Sequence, residues 1–268
     1  MTTTDADLAL LVERDYLAYV DAYGETPGVE VVHGAGIRLR RSKLDDDYLT
    51  SVFGTHVDAA AADAVIAATI EAVGPRRSFH WTIWPTDTPS DLAERLVAAG
   101  FVEVGSDPLM TFDLHTIGPP EPPPDGFTVR EALSAEERTA VADKAVRSVG
   151  WVGTGPNPFA DTFVRLAAED PPRMRLFGGF VAGDLVATAE LFTGSGVAGI
   201  YAVATDEPMR GRGYGRALTL AAMHAGREMG LDTAVLMASE LGQPVYRRIG
   251  FRQVGTVRFF RWPGVTDR

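Results

Sequence analysis

The stretch Arg210-Gly211-Arg212-Gly213-Tyr214-Gly215 limits what this chain can build more than any other feature. The apolar run before it, Ala198 to Ala204, reads as a strand. After it, Leu218, Ala221, Ala222, Ala225 and Met229 recur at helical spacing, and Gly230 stands where the helix would be capped. The glycines therefore occupy a strand-to-helix turn. Such a turn can aim several backbone N–H groups and the positive end of a helix dipole at one anion. Gly213 and Gly215 carry no Cβ, so a bulky anion can reach the main chain. Arg210, Arg212 and Arg216 add positive charge. On chemical grounds alone this is a cradle for a pyrophosphate.

The chain breaks most clearly at Gly118-Pro119-Pro120-Glu121-Pro122-Pro123-Pro124-Asp125-Gly126, where clustered prolines can join neither a helix nor a central strand. This predicts one domain over 1–118, a proline-rich linker over 119–126 and a second domain over 127–268. A weak internal repeat at an offset of 150 supports the division. Leu96 to Gly105 can be laid over Tyr246 to Gly255, and in both a short helix ends at Gly and Phe begins a strand. Upstream, strands Phe79 to Trp84 and Thr233 to Met237 correspond, as do alanine-rich helices near Asp58 to Ala72 and Gly215 to Met229. The first copy lacks the arginine-glycine turn and has Leu96 in the slot of Tyr246, so it cannot hold a pyrophosphate in the same way. In the second copy a strand from Phe127 precedes a capping-box helix starting at Ser134. A helix follows over Ala160 to Ala168, then a hairpin of Arg175 to Val181 with Leu185 to Phe192. The expected order is β-α-α-β-β-β-α-β-α-β, an α/β fold with a mixed sheet.

Charge is uneven. Residues 1–118 hold 8 basic and 19 acidic side chains, whereas residues 119–268 hold 17 of each. The net charge of −11 argues against non-specific nucleic-acid binding. No apolar window is long enough for a membrane span, and the first residues show no signal-peptide pattern. The absence of cysteine removes thiol nucleophiles and disulfides and fits a cytoplasmic protein. The five histidines show no metal-ligand spacing, so no metal is expected.

The element order, the cradle Arg210-x-x-Gly213-x-Gly215 and the later Tyr246-Arg247-Arg248-Ile249-Gly250-Phe251 together resemble the GNAT superfamily of acyl-CoA-dependent N-acyltransferases. The likeness spans about Phe127 to Trp262, and residues 1–118 resemble the degenerate first copy of tandem members. The resemblance implies acetyl-CoA as cosubstrate and an unidentified amine as acceptor, with no nucleic acid and no membrane. It leaves oligomeric state open, a homodimer included. It further implies that the fourth strand splays from the fifth after about Val203. Main chain at Val203, Ala204 and Thr205 would then pair with the pantetheine arm and polarise the thioester. Residues Gly211, Arg212, Gly213, Tyr214, Gly215 and Arg216, with Arg210, would hold the pyrophosphate.

Tyr246 would protonate the departing thiolate and touch the cofactor. Its reference pKa of about 10 lies close enough to a thiol's, about 8.5, for transfer. Ser239 stands where many members carry Asn and can still give one hydrogen bond to the cofactor arm. Glu190, inside an apolar strand, is either an outward-facing residue or the general base for the acceptor ammonium. Asp206 and Glu207 are alternative bases. Trp151 and Phe159, with Phe163, flank a Gly/Pro-rich loop and are candidate acceptor-pocket residues; core packing is the other reading. The expected activity is acetyl transfer to an amine, and the alternative is a non-catalytic acyl-CoA-binding or regulatory module. A nucleotide site of the Walker or Rossmann type fails, because no lysine follows the glycines and no parallel βαβ unit surrounds them.

Overall fold

The computed structural model describes residues 3–43, 50–148 and 157–264. In chain order its elements are α1 (Asp5–Tyr23), β1 (Val29–Gly34), β2 (Ile37–Ser42), β3 (Ser51–Phe53), α2 (Ala62–Val73), β4 (Phe79–Ile83), α3 (Leu92–Ala99) and β5 (Val102–Asp113). There follow β6 (Phe127–Glu131), α4 (Ala135–Ser148), α5 (Pro158–Ala167), β7 (Met174–Val181), β8 (Asp184–Phe192), β9 (Ala198–Thr205), α6 (Tyr214–Glu228), β10 (Thr233–Met237), α7 (Gln243–Ile249) and β11 (Arg252–Trp262). From β6 onward this is the expected order.

Two compact units divide the chain differently from the linear cut at 118 and 127. The first holds residues 1–19 and 109–254, the second residues 20–108 and 255–268. In the first unit the strands run β5-β10-β9-β8-β7-β6. Strand β10 takes Leu109 to Asp113 of β5 as its antiparallel neighbour. In the second unit the order is β1-β2-β3-β4-β11, and β4 pairs with Arg258 to Trp262. Each copy's last strand thus completes the sheet of the other unit.

The repeat is visible in the caps. Gly100 and Gly250 both end their helices in left-handed conformation, at φ 105° and 115°. Phe101 N donates to Leu96 O and Phe251 N to Tyr246 O, each at 3.0 Å, the bond that closes a glycine-capped helix end. A Cβ on Gly100 would lie 3.0 Å from Trp262, and one on Gly250 3.0 Å from Phe112. Those two aromatics are themselves 150 positions apart.

The second unit's core gathers Ile66, Phe79, Trp81, Leu92, Leu96, Phe101 and Phe260. In the first unit, α4 begins with the expected capping box: Glu137 N donates to Ser134 Oγ at 3.1 Å, and Ser134 N to the Glu137 carboxylate at 3.2 Å. Helix α5 starts two residues earlier than expected, because Asn157 accepts from Phe159 N at 3.0 Å and Pro158 fills the first turn. Ala182 and Gly183, both at positive φ, turn the β7–β8 hairpin. Helix α6 covers one face of the sheet, where Ala187, Ala189, Leu191, Ala198, Ile200, Leu218, Ala222 and Met223 form the core. No helix among the described residues is long and apolar enough to cross a membrane.

The proline-rich segment lies in the first unit beside the start of α6. Pro124 O accepts from Phe127 N at 3.0 Å, and Glu121 forms a two-pronged ion pair with Arg216, one bond measuring 2.9 Å.

Candidate active site

The site is built where β9 leaves β10. Their parallel pairing is confined to Ala198 opposite Ala234 and Gly199 opposite Val235. The separation therefore starts after Gly199, four residues earlier than expected. Strand β9 stays on β8 as far as Thr205, with a register shift opposite Ala189. There Ala202 takes φ 46°, a bulge that re-aims the residues after it. Asp206 N bonds Val186 O at 2.9 Å. Strand alternation then turns the backbone groups of Val203 and Thr205 away from β8 and those of Ala204 toward it. Of the three residues expected to serve a ligand's arm, Ala204 is committed to the sheet opposite Thr188. Thr205 O already accepts from Arg210 Nε at 3.1 Å.

A 3-10 turn over Glu207–Met209 leads into the arginine-glycine loop. Gly211 (φ 78°) and Gly213 (φ 82°) are left-handed, which a side chain at either position would strain. Gly213 is the N-cap of α6 and offers no side-chain acceptor to the first-turn N–H groups. Among the described residues, the first-turn donors of α6 thus have no side-chain cap, the requirement for holding an anion. A Cβ on Gly211 would meet nothing within 4 Å, whereas one on Gly213 would touch Pro124 at 3.4 Å and one on Gly215 would touch Val203 at 3.8 Å. The open approach is at Gly211.

The arginines differ. Arg212 bonds only the carbonyl of Pro208, at 3.3 Å, and Arg210 only that of Thr205. Neither faces a carboxylate among the described residues. Arg216 is held by Glu121, which lowers the pKa of that carboxyl. The Tyr214 ring is buried and stacked on Phe127, centroids 3.9 Å apart. Its amide, not its ring, is the part that can belong to the cradle.

Tyr246 lies on α7 with its ring packed edge-on to Phe251, 8% exposed. Burial pushes its phenol up to about 12. Ser239 is exposed just before α7, its hydroxyl accepting from Gly242 N at 3.3 Å.

Glu190 is wholly buried, so the outward-facing reading is wrong. It sits on the sheet face opposite α6. Its Oε2 accepts from Tyr19 Oη at 2.8 Å, and its Oε1 has no hydrogen-bond partner among the described residues. Burial pushes the carboxyl up to about 7, with the Tyr19 bond opposing. Asp206 is paired with Lys144 Nζ at 2.6 Å. Phe159 and Phe163 are buried, at 0% and 1% exposure, as the core-packing reading of both expects. Trp151 lies outside the described residues.

Sequence reasoning missed the groups around Glu190. Asp15, on α1, accepts from Tyr201 Oη at 2.5 Å and from Ser195 Oγ. Burial pushes it to about 7 as well, and those two bonds oppose the rise. Tyr19 and Tyr201 stack with centroids 4.1 Å apart and planes 7° from parallel. Gly199 was the available signal, since a glycine inside a strand marks a close approach. Here a Cβ would lie 2.0 Å from Asp15 Oδ2.

Comparison with known proteins agrees with this architecture. Residues 131–251 match the acetyltransferase (GNAT) family. Mycothiol acetyltransferase of Saccharomonospora viridis is 29% identical over 152 residues, 50% of this chain and 48% of that protein. The chain therefore matches about half the length of that relative. A GCN5-related N-acetyltransferase from Kribbella flavida superposes with a TM-score of 0.71 at 22% identity, covering 94% of this chain and 96% of that one. One from Sphaerobacter thermophilus gives 0.64 at 19% identity, covering 98% and 96%. A tandem GNAT protein from the clavulanic acid biosynthesis pathway gives 0.62 at 16% identity, again covering 98% and 96%. At these identities the structural likenesses establish the fold alone. Residues 131–251 thus carry the likeness to the acetyltransferase (GNAT) family, on a fold shared with GNAT proteins.

Proposed function

We propose that this protein moves acetyl from acetyl-CoA to the nitrogen of an amine by direct attack within a ternary complex. The observation that carries the reading is the uncapped start of α6 on left-handed Gly213, beside a strand that has left its parallel neighbour. The donors there suit the diphosphate of CoA, with Arg212 as the free cation. The outward backbone of Val203 and Thr205 suits the pantetheine arm, and N–H groups in the gap would hold the oxyanion.

An amine of pKa about 10 must lose a proton before it attacks, which costs about 4 kcal/mol at pH 7. Glu190 receives that proton through water, and its pKa of about 7 is well placed for the task. The neutral nitrogen then bonds to the carbonyl carbon and the C–S bond breaks. The CoA sulfur takes a proton from Tyr246, whose phenol regains one from the nitrogen as the amide forms. A phenol held near 12 is protonated before and after the transfer, so Tyr246 enters the reaction as a proton donor. The chain has no cysteine to carry the acyl group, in keeping with direct transfer.

A panel of amines assayed for release of free CoA tests the reading, and the relative's name puts mycothiol chemistry among its arms. Turnover on any acceptor supports it. Tight CoA binding with no turnover on any amine would instead establish an acyl-CoA-binding protein. Arg212→Ala should raise KM for acetyl-CoA by about tenfold with kcat little changed, the loss of one charge-assisted contact. An unchanged KM would displace the diphosphate from this loop. Glu121→Gln should tighten CoA binding by about threefold at low salt, a difference that fades as ionic strength rises. Isothermal titration at two salt concentrations reads both effects.

A further inference from the structure

We propose that Tyr19, from the N-terminal helix α1, is a positioning residue for Glu190 and that α1 is part of the catalytic unit. The proposal rests on the reading of Glu190 as proton acceptor. The chain of contacts is continuous. Gly199 leaves room for the Asp15 carboxylate, which is seated against its backbone. Asp15 accepts from Tyr201 at 2.5 Å and from Ser195. The fixed Tyr201 ring is the plate on which Tyr19 stacks. Phe192 meets Tyr19 edge-on at 5.5 Å and Phe163 stacks on it at 5.9 Å. Packed among these rings, the Tyr19 hydroxyl donates to Glu190 Oε2 at 2.8 Å.

That bond does two things. It occupies one carboxylate oxygen and leaves Oε1 as the oxygen that can take a proton. It also stabilises the ionised form against burial, which without it would hold the carboxyl protonated. The groups set against Glu190 are Tyr19 from α1, Tyr201 opposite it on β9 and the apolar Leu176 opposite it on β7; Asp15 meets Tyr201 rather than Glu190. No lysine, arginine or histidine bonds Glu190 or Asp15 among the described residues. Tyr19 is therefore the donor on which a charged Glu190 depends.

The test is the pH profile of kcat/KM in Tyr19→Phe and Glu190→Gln, full chain, with the acceptor found in the amine panel. Tyr19→Phe keeps the stacked ring and deletes only the donor. Its acid limb should move up by about one pH unit, with the Kd for CoA unchanged. Glu190→Gln should lose the limb and at least about a hundredfold in rate. A Tyr19→Phe profile that overlays wild type, with Glu190→Gln still slow, overturns the positioning role and leaves the proton acceptor in place. A Glu190→Gln enzyme with wild-type rate overturns the acceptor assignment itself. Should Tyr19→Phe not fold, carbon-13 NMR of the wild-type Glu190 carboxyl decides. A deuterium isotope shift transmitted from the Tyr19 hydroxyl supports the bond, and its absence overturns it.

Discussion

Tyr246→Phe should lower kcat by about a hundredfold and leave the Kd for CoA within about twofold of wild type. The expectation follows from what the ring and the hydroxyl each do. The ring is fixed: a Cβ on Gly242 would lie 2.8 Å from its Cε2, and Phe251 closes its other side. Phenylalanine keeps all of that packing, so the helix end that begins with the Gly250 cap stays intact. What is lost is the O–H, which has no protein acceptor among the described residues and is therefore free to meet a leaving sulfur. A thiolate of pKa about 8.5 is a weaker base than this phenolate, so the proton moves only as the C–S bond breaks and the reacting nitrogen returns one to the phenol. Its value lies in the transition state, and a loss there appears in kcat and kcat/KM together rather than in binding. Steady-state kinetics with acetyl-CoA, paired with calorimetric CoA titration, separates the two. A Tyr246→Phe enzyme as fast as wild type across pH would give the proton to water.

The fold was legible wherever a local signal had a local consequence. Gly213 and Gly230 mark the two ends of α6 because left-handed backbone is cheap only for glycine. Ser134 with Glu137 starts α4 because those two side chains satisfy each other's backbone donors. The Gly-Phe repeat predicted two equivalent helix caps, and both are present. What could not be read was long-range. Nothing near residue 118 says that Leu109 to Asp113 will pair with β10 while Arg258 to Trp262 pairs with β4. A strand's partner is set by which exposed edge its unit leaves open, not by its own sequence. For the same reason Arg216 appeared free: the carboxylate that holds it lies 95 positions away. Glu190 carried an ambiguous signal, an acid in an apolar strand, and the residue that resolves it lies 171 positions upstream.

Glu190→Gln should make the protein more stable at neutral pH while removing its activity. The sign follows from linkage. Glu190 titrates near 7 in the folded protein against about 4.5 unfolded, so the folded state binds its proton more tightly. Its contribution to stability is complete below about pH 4.5, falls as pH rises toward 7 and is lost above that. The span corresponds to about 3 kcal/mol for a group this deeply buried. Asp15 adds a second slope of the same sign, from its unfolded value of 3.8 to about 7. Glutamine has the shape of the protonated acid, can still accept from Tyr19 Oη and never charges. The urea-unfolding stability of wild type should therefore fall between about pH 5 and pH 7 and level off above that. The Glu190→Gln curve should fall less, meeting wild type near pH 4 and lying above it at pH 8. The reason to retain so costly a carboxyl is chemical, since only an ionised Glu190 can take a proton from an ammonium. Two curves that run parallel over the whole range would mean that Glu190 is already ionised and compensated, and would remove both the stability argument and the proton-acceptor role built on the same burial.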